Sequence, residues 1–314
     1  MRSVGCSNQS IESEDILPRP KYSIFSIGGL GIEVNCCHQA LKKISAQKYF
    51  DFSIDIESAV TADISVYIQQ QKEKDFLHKN EVFSQRRSTL YKTTEGYLEQ
   101  FYLTDDKKGT SIWRIYIDPE FSRFTFCFGS YINNCLQLID MNKLVFKIFL
   151  LQHSIINHQG LIIHATGGLV QGKGIIFAAP SGTGKSTLCQ LLQYSSQNRL
   201  FSEDRLIIRF WKDRWYVWGT PWHGEGQIAR NEYAPLSALI FLQQAPKTRL
   251  TQLSPTKGLR HLLQTVSIPW YNKRLTSKGL ALCDFLVQEI PMFELAFRPD
   301  QTAVQVVEGF AADL

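Results

Sequence analysis

The most chemically informative segment of the chain is a glycine-rich stretch near its middle. An apolar run at 174–179 is followed by Gly182, Gly184 and Lys185, and residues 185–194 repeat apolar side chains at helical spacing. This order of strand, glycine-rich turn and helix is what a phosphate-binding P-loop needs, because successive backbone N–H groups and the positive end of the helix wrap an anion. The pattern predicts a nucleotide site formed by Ser181, Gly182, Thr183, Gly184, Lys185, Ser186 and Thr187.

The residues of this P-loop have different expected tasks. Lys185 is expected to contact β- and γ-phosphate oxygens of ATP, the Ser186 hydroxyl to ligate Mg²⁺, and Thr187 to face the α-phosphate. The first glycine of the usual motif is replaced by Ala179, which Pro180 follows. The phosphate-contacting residues are intact, so we retain the assignment. A binding module with a degenerate loop is the alternative that Ala179 leaves open.

Two adjacent carboxylates, Glu203 and Asp204, follow a short apolar run and precede Arg205. Carboxylates at the end of a strand beside a P-loop strand are placed to hold Mg²⁺ through water, and one can accept the proton of an attacking hydroxyl. The alternative is a solvated charged turn. With the P-loop upstream we favour catalysis, in which Asp204 helps to hold Mg²⁺ and either Glu203 or Asp204 is the base.

Two histidines are further candidates for the catalytic site. His164 ends an apolar run directly before a glycine-rich turn, so it lies near the phosphates if its strand neighbours the P-loop strand. His223 stands in a glycine-flanked loop that also contains Glu225. Both are predicted to support the phosphates or the acceptor, although a structural histidine and an ordinary exposed turn give the same patterns. Arg230 is expected to be a surface residue.

The elements that must position these residues differ between the two halves of the chain. Residues 141–156 have an apolar stripe at helical spacing, and beyond them apolar runs alternate with helical patterns. This alternation indicates an α/β domain over 141–314 with a substantial sheet. Its expected strands are 161–165, 174–179, 200–202, 206–210, 215–218, 238–242 and 292–297, and its expected helices are 185–194, 256–265 and 277–289.

The first half is rich in β-branched and aromatic residues, which predicts a β-rich domain over 21–140 after a flexible lead-in at 1–20. One helix is expected at 38–47, and 112–117 with 121–128 looks like a hairpin. No catalytic pattern occurs in this half, so we assign it to substrate recognition or oligomer contacts. Its other expected strands are 24–34, 52–56, 64–68 and 97–103.

Composition narrows the classes of function. The chain has 314 residues and a net charge of +5 without a basic run, which argues against a nucleic-acid partner. Its N-terminus is polar, and its most apolar stretch, 144–163, is interrupted by polar residues, so we expect neither export nor a membrane partner. The seven cysteines are odd in number and lack C-x-x-C spacing, which predicts reduced thiols in a cytoplasmic protein.

These motifs resemble those of bacterial HPr kinase/phosphorylase. In that family a strand ends in His, S-G-x-G-K-S follows, and D-D-R comes next; the corresponding positions here are His164, residues 181–186 and Glu203-Asp204-Arg205. The resemblance implies a P-loop kinase domain of the HPr kinase/PEP carboxykinase type in an α/β chain that is α+β as a whole. It also implies ATP- and Mg²⁺-dependent phosphorylation of a serine hydroxyl on a protein, with the acidic pair supplying a base and a metal contact.

The chain departs from that family in two ways. Glu203 replaces the first Asp, which lengthens the reach of the base, and the stretch that accompanies phosphorylase activity is not recognisable. The segments at 219–226 and 234–242 look more like HPr-kinase-like proteins of peptide-modification clusters. These include lasso-peptide precursor kinases and SynChlorMet cassette kinases, whose β-rich first half opens with a similar Gly-Gly-Leu.

The main hypothesis is therefore an ATP- and Mg²⁺-dependent serine kinase that acts on a ribosomally made peptide or small protein. The alternative is a nucleotide-dependent ATPase or switch protein without a phosphoryl acceptor, although no L-S-G-G-Q segment of the ABC type is present. The formation of a homo-oligomer is left open.

Overall fold

A computed structural model describes most of the chain, and its described residues form seventeen strands, five α-helices and one 3-10 helix (Phe50–Phe52) of a mixed α+β fold. The expected lead-in and the expected helix at 38–47 lie outside the described residues, as do Ser181 and Glu225. Among the described helices, none is both long and apolar enough to cross a membrane. The described residues are 23–36, 50–54, 62–70, 79–85, 88–102, 113–128, 148–180, 182–224 and 226–314.

The first half forms one nine-stranded sheet in the order β3-β1-β2-β4-β9-β8-β7-β6-β5. β2, β4 and β9 run parallel to one another, and the other neighbours are antiparallel. The strands are β1 (Ser23–Ile27), β2 (Leu30–Cys36), β3 (Ser53–Ile54), β4 (Ile64–Gln70), β5 (Asn80–Gln85), β6 (Ser88–Thr93), β7 (Gly96–Phe101), β8 (Trp113–Ile117) and β9 (Arg123–Phe128).

Two turns of this sheet can be compared with the strands that the sequence predicts. The expected single strand at 24–34 is wrong, because Gly28 and Gly29 break it into the β1–β2 hairpin with φ angles of 63° and 71°. Only glycine adopts such angles at no steric cost. The expected hairpin of β8 and β9 is confirmed. Its turn is closed by Asp118, whose Oδ1 accepts the backbone N–H groups of Ser122 and Arg123, each at 2.7 Å.

The second half forms an eight-stranded sheet with helices packed around it. Its helices are α1 (Ile148–Asn157), α2 (Lys185–Gln193), α3 (Pro255–Leu262), α4 (Lys273–Glu289) and α5 (Gln301–Asp313). Its strands are β10 (Gly160–Val170), β11 (Lys173–Ala178), β12 (Asn198–Ser202), β13 (Arg205–Trp211), β14 (Arg214–Trp218), β15 (Tyr233–Gln244), β16 (Arg249–Gln252) and β17 (Met292–Phe297).

Two long strands, β10 and β15, shape this sheet by changing partners along their length. β10 pairs with β13 over Gly160–His164, then with β12 from Gly167 onward. β15 pairs first with β14, then in parallel with β11 and β17. Because β11 pairs with both β10 and β15, the strands β11, β10, β13, β14 and β15 close into a ring. The P-loop strand β11 therefore lies between the two long strands.

Most of the expected elements of this half are present, with revised bounds. Helix α2 and the β13–β14 hairpin are confirmed, and the hairpin turns at Lys212 and Asp213 with φ of 48° and 62°. Sequence reasoning missed β16 and α5. The signal for α5 was available, because Asp300 caps its N-terminus and the buried residues that follow have helical spacing: Ala303, Val304, Val307 and Ala311.

The two sheets pack against each other. Apolar side chains from both form one continuous buried cluster, and polar bonds cross between them. Arg209 on β13 donates through Nη1 to the Gly28 carbonyl (2.6 Å), and Ser154 on α1 donates through Oγ to the Phe121 carbonyl (2.7 Å). The ring of His153, also on α1, stacks on that of Phe121. The N-terminal sheet thus contacts the strand that begins beside Asp204, while the division into domains at 21–140 and 141–314 stays a prediction.

Candidate functional site

The turn between β11 and α2 has the geometry of an anion-binding loop. Gly182 and Gly184 have φ angles of 83° and 94°, in the left-handed region that favours glycine. Gly184 is the N-cap of α2, and among the described residues no side-chain hydrogen bond caps this helix end. The first backbone N–H groups of a helix have no partner within the helix, so they are available to a ligand here. A Cβ atom at Gly182 would meet nothing within 4 Å, which leaves open space beside the loop.

Lys185 lies at the base of this loop with its side chain folded under it. The residue is 7% exposed, and its Nζ donates to the carbonyls of Ala179 (2.6 Å) and Pro180 (3.0 Å). Burial lowers the pKa of its ammonium, Asp204 opposes that effect and Arg205 adds to it. An ammonium has three donors, so one remains for a phosphate oxygen. Ser186 and Thr187, in the first turn of α2, are exposed.

His164 and Asp204 meet where β10 changes partners. Nδ1 of His164 lies 3.1 Å from Oδ1 of Asp204 and 2.9 Å from its backbone oxygen. The expectation that His164 ends its strand is wrong, because β10 continues to Val170. Instead, the partner strand is interrupted: Glu203 and Asp204 form the break between β12 and β13, which pair with successive parts of β10. That break places Asp204 beside His164.

The carboxyl group of Asp204 is held in its ionised form. The hydrogen bond with His164 has the largest effect and lowers its pKa, burial opposes it, and the charges of Arg205, His164 and Lys185 lower it further. The involvement of Lys185 is informative, because it means that the carboxylate lies within electrostatic range of the P-loop ammonium. An ionised carboxylate there can accept a proton or ligate a hard cation.

Glu203 has a different environment from its neighbour. It is 8% exposed, and its two oxygens accept backbone N–H groups of Gly226 (3.0 Å) and Ile228 (3.3 Å). A Cβ atom at position 226 would collide with Oε2 of Glu203, so this approach requires glycine. Because Glu has one methylene more than Asp, its carboxylate reaches the backbone of the segment that follows β14. Glu203 therefore anchors the loop of residues 219–232, which we call the 219–232 loop.

The structure does not bring every candidate together. His223, on the 219–232 loop, contacts the carbonyl of its neighbour Gly224 through Nδ1 (3.0 Å). Within the described residues, no hydrogen bond joins His223 to Lys185, His164 or Asp204. The side chain of Arg230 is exposed, as expected.

The family model of the SynChlorMet cassette protein ScmC matches residues 127–297, which is more than half of the 314-residue chain. The chain belongs to the ScmC family. The matched span runs from β9 to the end of β17 and includes the P-loop, His164, Glu203 and Asp204.

Curated proteins and solved structures add little to this family assignment. No curated protein matches this ScmC family member. Among solved structures, it is similar to the Hpr(Ser) kinase/phosphatase from Coxiella burnetii, with 9% identity and a TM-score of 0.28, over 48% of this chain and 88% of that one.

The donor set of this ScmC family member fits a nucleotide with a divalent cation. The uncapped helix end and the Lys185 ammonium suit phosphate oxygens. The Ser186 hydroxyl and the Asp204 carboxylate are hard oxygen ligands of the kind that Mg²⁺ takes, with its other positions filled by water and substrate phosphates.

Sequence reasoning assigned no role to Arg205, which the fold places beside Asp204. Its Nε lies 4.0 Å from Oδ2 of Asp204, and its charge affects the pKa of Lys185. The available signal was its position directly after two carboxylates, downstream of a P-loop.

Proposed function

We propose that this ScmC family member is a phosphotransferase that transfers the terminal phosphoryl group of ATP to a serine hydroxyl of a ribosomally made peptide or small protein. The observation that carries the proposal is the position of Asp204, an ionised carboxylate that contacts His164 and lies within electrostatic range of Lys185. Phosphoryl transfer to a hydroxyl needs a phosphate cradle and a proton acceptor side by side.

The residues take the following roles. Bound ATP and Mg²⁺ would supply the transferable phosphoryl group and the charge that neutralises it. The 181–187 loop and Lys185 hold the phosphates, and Ser186 and Asp204 are the residues that would hold the cation. Asp204 accepts the proton of the acceptor hydroxyl, and His164 orients its carboxylate. A carboxylate has two oxygens, so Asp204 can contribute to both tasks.

Glu203 is the weaker candidate for the base. Both of its oxygens already accept backbone N–H groups, so neither oxygen is free to contact an acceptor hydroxyl. We propose that it positions the 219–232 loop, which carries His223 toward the acceptor. The N-terminal sheet is then the proposed surface for acceptor recognition or for contacts between copies, in a cytoplasmic enzyme.

The acceptor class rests on the sequence likeness to kinases of peptide-modification clusters. The direct test incubates the protein with ATP, Mg²⁺ and the peptides encoded beside its gene, followed by mass spectrometry. We expect one added phosphoryl group on a serine, abolished by Lys185→Ala. Steady ATP hydrolysis without any phosphorylated peptide, undiminished by Asp204→Asn, would instead support the ATPase or switch reading.

A further inference from the structure

Arg205 is a partly buried cation whose Nε–H group has no hydrogen-bond partner among the described residues. Its side chain is only 25% exposed, and its Nε is fully buried without a hydrogen-bond partner. Within the described part of the chain, its nearest counter-charge is Oδ2 of Asp204 at 4.0 Å, beyond hydrogen-bond distance. Burying an unpaired donor is costly, so a native structure that keeps one needs an explanation.

A second arginine on the same strand, Arg209, has hydrogen-bond acceptors for its guanidinium. Arg209 lies four residues along β13, on the same face by strand alternation, and is 8% exposed. It donates to the Gly28 carbonyl at 2.6 Å and to the His158 carbonyl at 3.2 Å. Both arginines have pKa values lowered by burial, but only Arg209 has acceptors in place.

The backbone of Arg205 is held by the sheet and by a buried hydroxyl group. Its Cα pairs with that of His164 across β10 and β13. Its carbonyl accepts the hydroxyl of Thr220, a fully buried residue, at 2.7 Å. Because Ala165, the residue after His164, pairs with Ala178 at the end of β11, the backbone of Arg205 lies close to the start of the predicted P-loop.

The charges around Arg205 favour an anion. Lys185 and Arg205 are two cations within electrostatic range of each other. The charge of Asp204 acts on both and raises the pKa of each. The group of three has a net positive charge, which a phosphate would balance. A guanidinium also offers donors in a planar fork that matches two phosphate oxygens, which an ammonium does not.

We infer that Arg205 binds the terminal phosphate of a nucleoside triphosphate whose other phosphates lie in the P-loop. The inference rests on the proposed function, because it needs the P-loop to hold a nucleotide. Arg205 lies next to Asp204, with its Nε 4.0 Å from Oδ2, so it would bind the phosphate that is nearest to the proposed base. It would thereby discriminate the triphosphate from the diphosphate.

The test compares two nucleotides by isothermal titration calorimetry in the presence of Mg²⁺: ADP and the non-hydrolysable triphosphate AMP-PNP. The proteins are the wild type, Arg205→Gln, Arg205→Lys and, as a matched control, Arg209→Gln. We expect Arg205→Gln to weaken AMP-PNP binding about 10- to 100-fold, as for a lost charged hydrogen bond, and to change ADP binding less than about twofold. Arg205→Lys should fall between, and Arg209→Gln should keep the wild-type preference.

The outcomes distinguish a wrong role for Arg205 from a wrong proposed function. An equal loss of ADP and AMP-PNP affinity in Arg205→Gln, or no loss of either, would overturn the inference alone. A wild-type protein that binds neither nucleotide would overturn the proposed function and the inference with it. Thermal unfolding of each variant without nucleotide shows that it is folded, and Arg205→Lys keeps the charge if Arg205→Gln fails to fold.

Discussion

The two ends of strand β13 contact different parts of the molecule, and their arginines differ in hydrogen bonding. At one end Arg209 lies under the β1–β2 hairpin, where two carbonyls accept its donors. At the other end Arg205 and Asp204 lie beside the P-loop, where the guanidinium has no hydrogen-bond partner among the described residues. Paired polar groups therefore connect the two sheets at one end of β13, whereas at the other end the Nε of Arg205 is left for the phosphate that we propose.

The largest expected effect comes from removing the charge at the site end. Asp204→Asn keeps the shape but removes the proton acceptor, so phosphoryl transfer should fall about 10²- to 10⁴-fold. The measurement is the rate of peptide phosphorylation with AMP-PNP affinity determined in parallel. Asp213→Asn is the matched control, because Asp213 is exposed in the turn at the far end of the same strand. Equal rates for the two variants would refute the role of Asp204.

The next effect concerns the loop that Glu203 anchors. Glu203→Gln replaces a buried acceptor of two backbone N–H groups, so the free energy of unfolding should fall by about 2 kcal/mol. Hydrogen exchange of the Gly226 and Ile228 amides should become faster. Glu232→Gln serves as the comparison, because Glu232 pairs with the exposed Arg199 and such surface pairs contribute less than about 1 kcal/mol. Unchanged exchange at both amides would contradict the anchoring role.

A smaller effect is expected in the free energies of unfolding of the Arg209→Gln and Arg205→Gln variants. Arg209→Gln leaves the Gly28 and His158 carbonyls without their donor, which should cost about 1 to 2 kcal/mol in urea unfolding. Arg205→Gln removes a cation that has no hydrogen-bond partner, so stability should stay within about 0.5 kcal/mol of the wild type. If Arg205→Gln proved the more destabilised of the two, the contrast between the ends of β13 would be wrong.

The smallest effect is a dependence of stability on pH. The pKa of Asp204 is lowered below its ordinary 3.8, so its ionised form stabilises the fold above that value, and the contribution is lost as the pH falls through the lowered pKa. The carboxylate is one-third exposed, so solvent screening keeps the effect below about 1 kcal/mol. The free energies of unfolding of the wild type and of Asp204→Asn should therefore converge as the pH falls below 3.8.

The sequence patterns predicted the local elements well and the long-range ones poorly. The P-loop helix and the β13–β14 hairpin follow from residues that are neighbours in the chain, such as Gly184 before α2 and Lys212-Asp213 in the turn. The length of β10 did not follow, because its second part is stabilised by pairing with β11 and β12. The break at Gly28 and Gly29 was overlooked although glycine pairs are ordinary turn signals.

At the site, the strand, glycine-rich turn and helix that carry the proposed phosphate-binding residues were predictable from one short segment, because adjacent residues specify all three. The division of labour among the charged residues was not. Glu203 is engaged by amides more than twenty positions away, and Arg209 by the Gly28 carbonyl at a separation of 181 residues. Whether a charge is paired depends on which distant groups the fold brings to it. The tertiary structure therefore decided that Glu203 and Arg209 have partners, whereas Nε of Arg205 has no hydrogen-bond partner among the described residues.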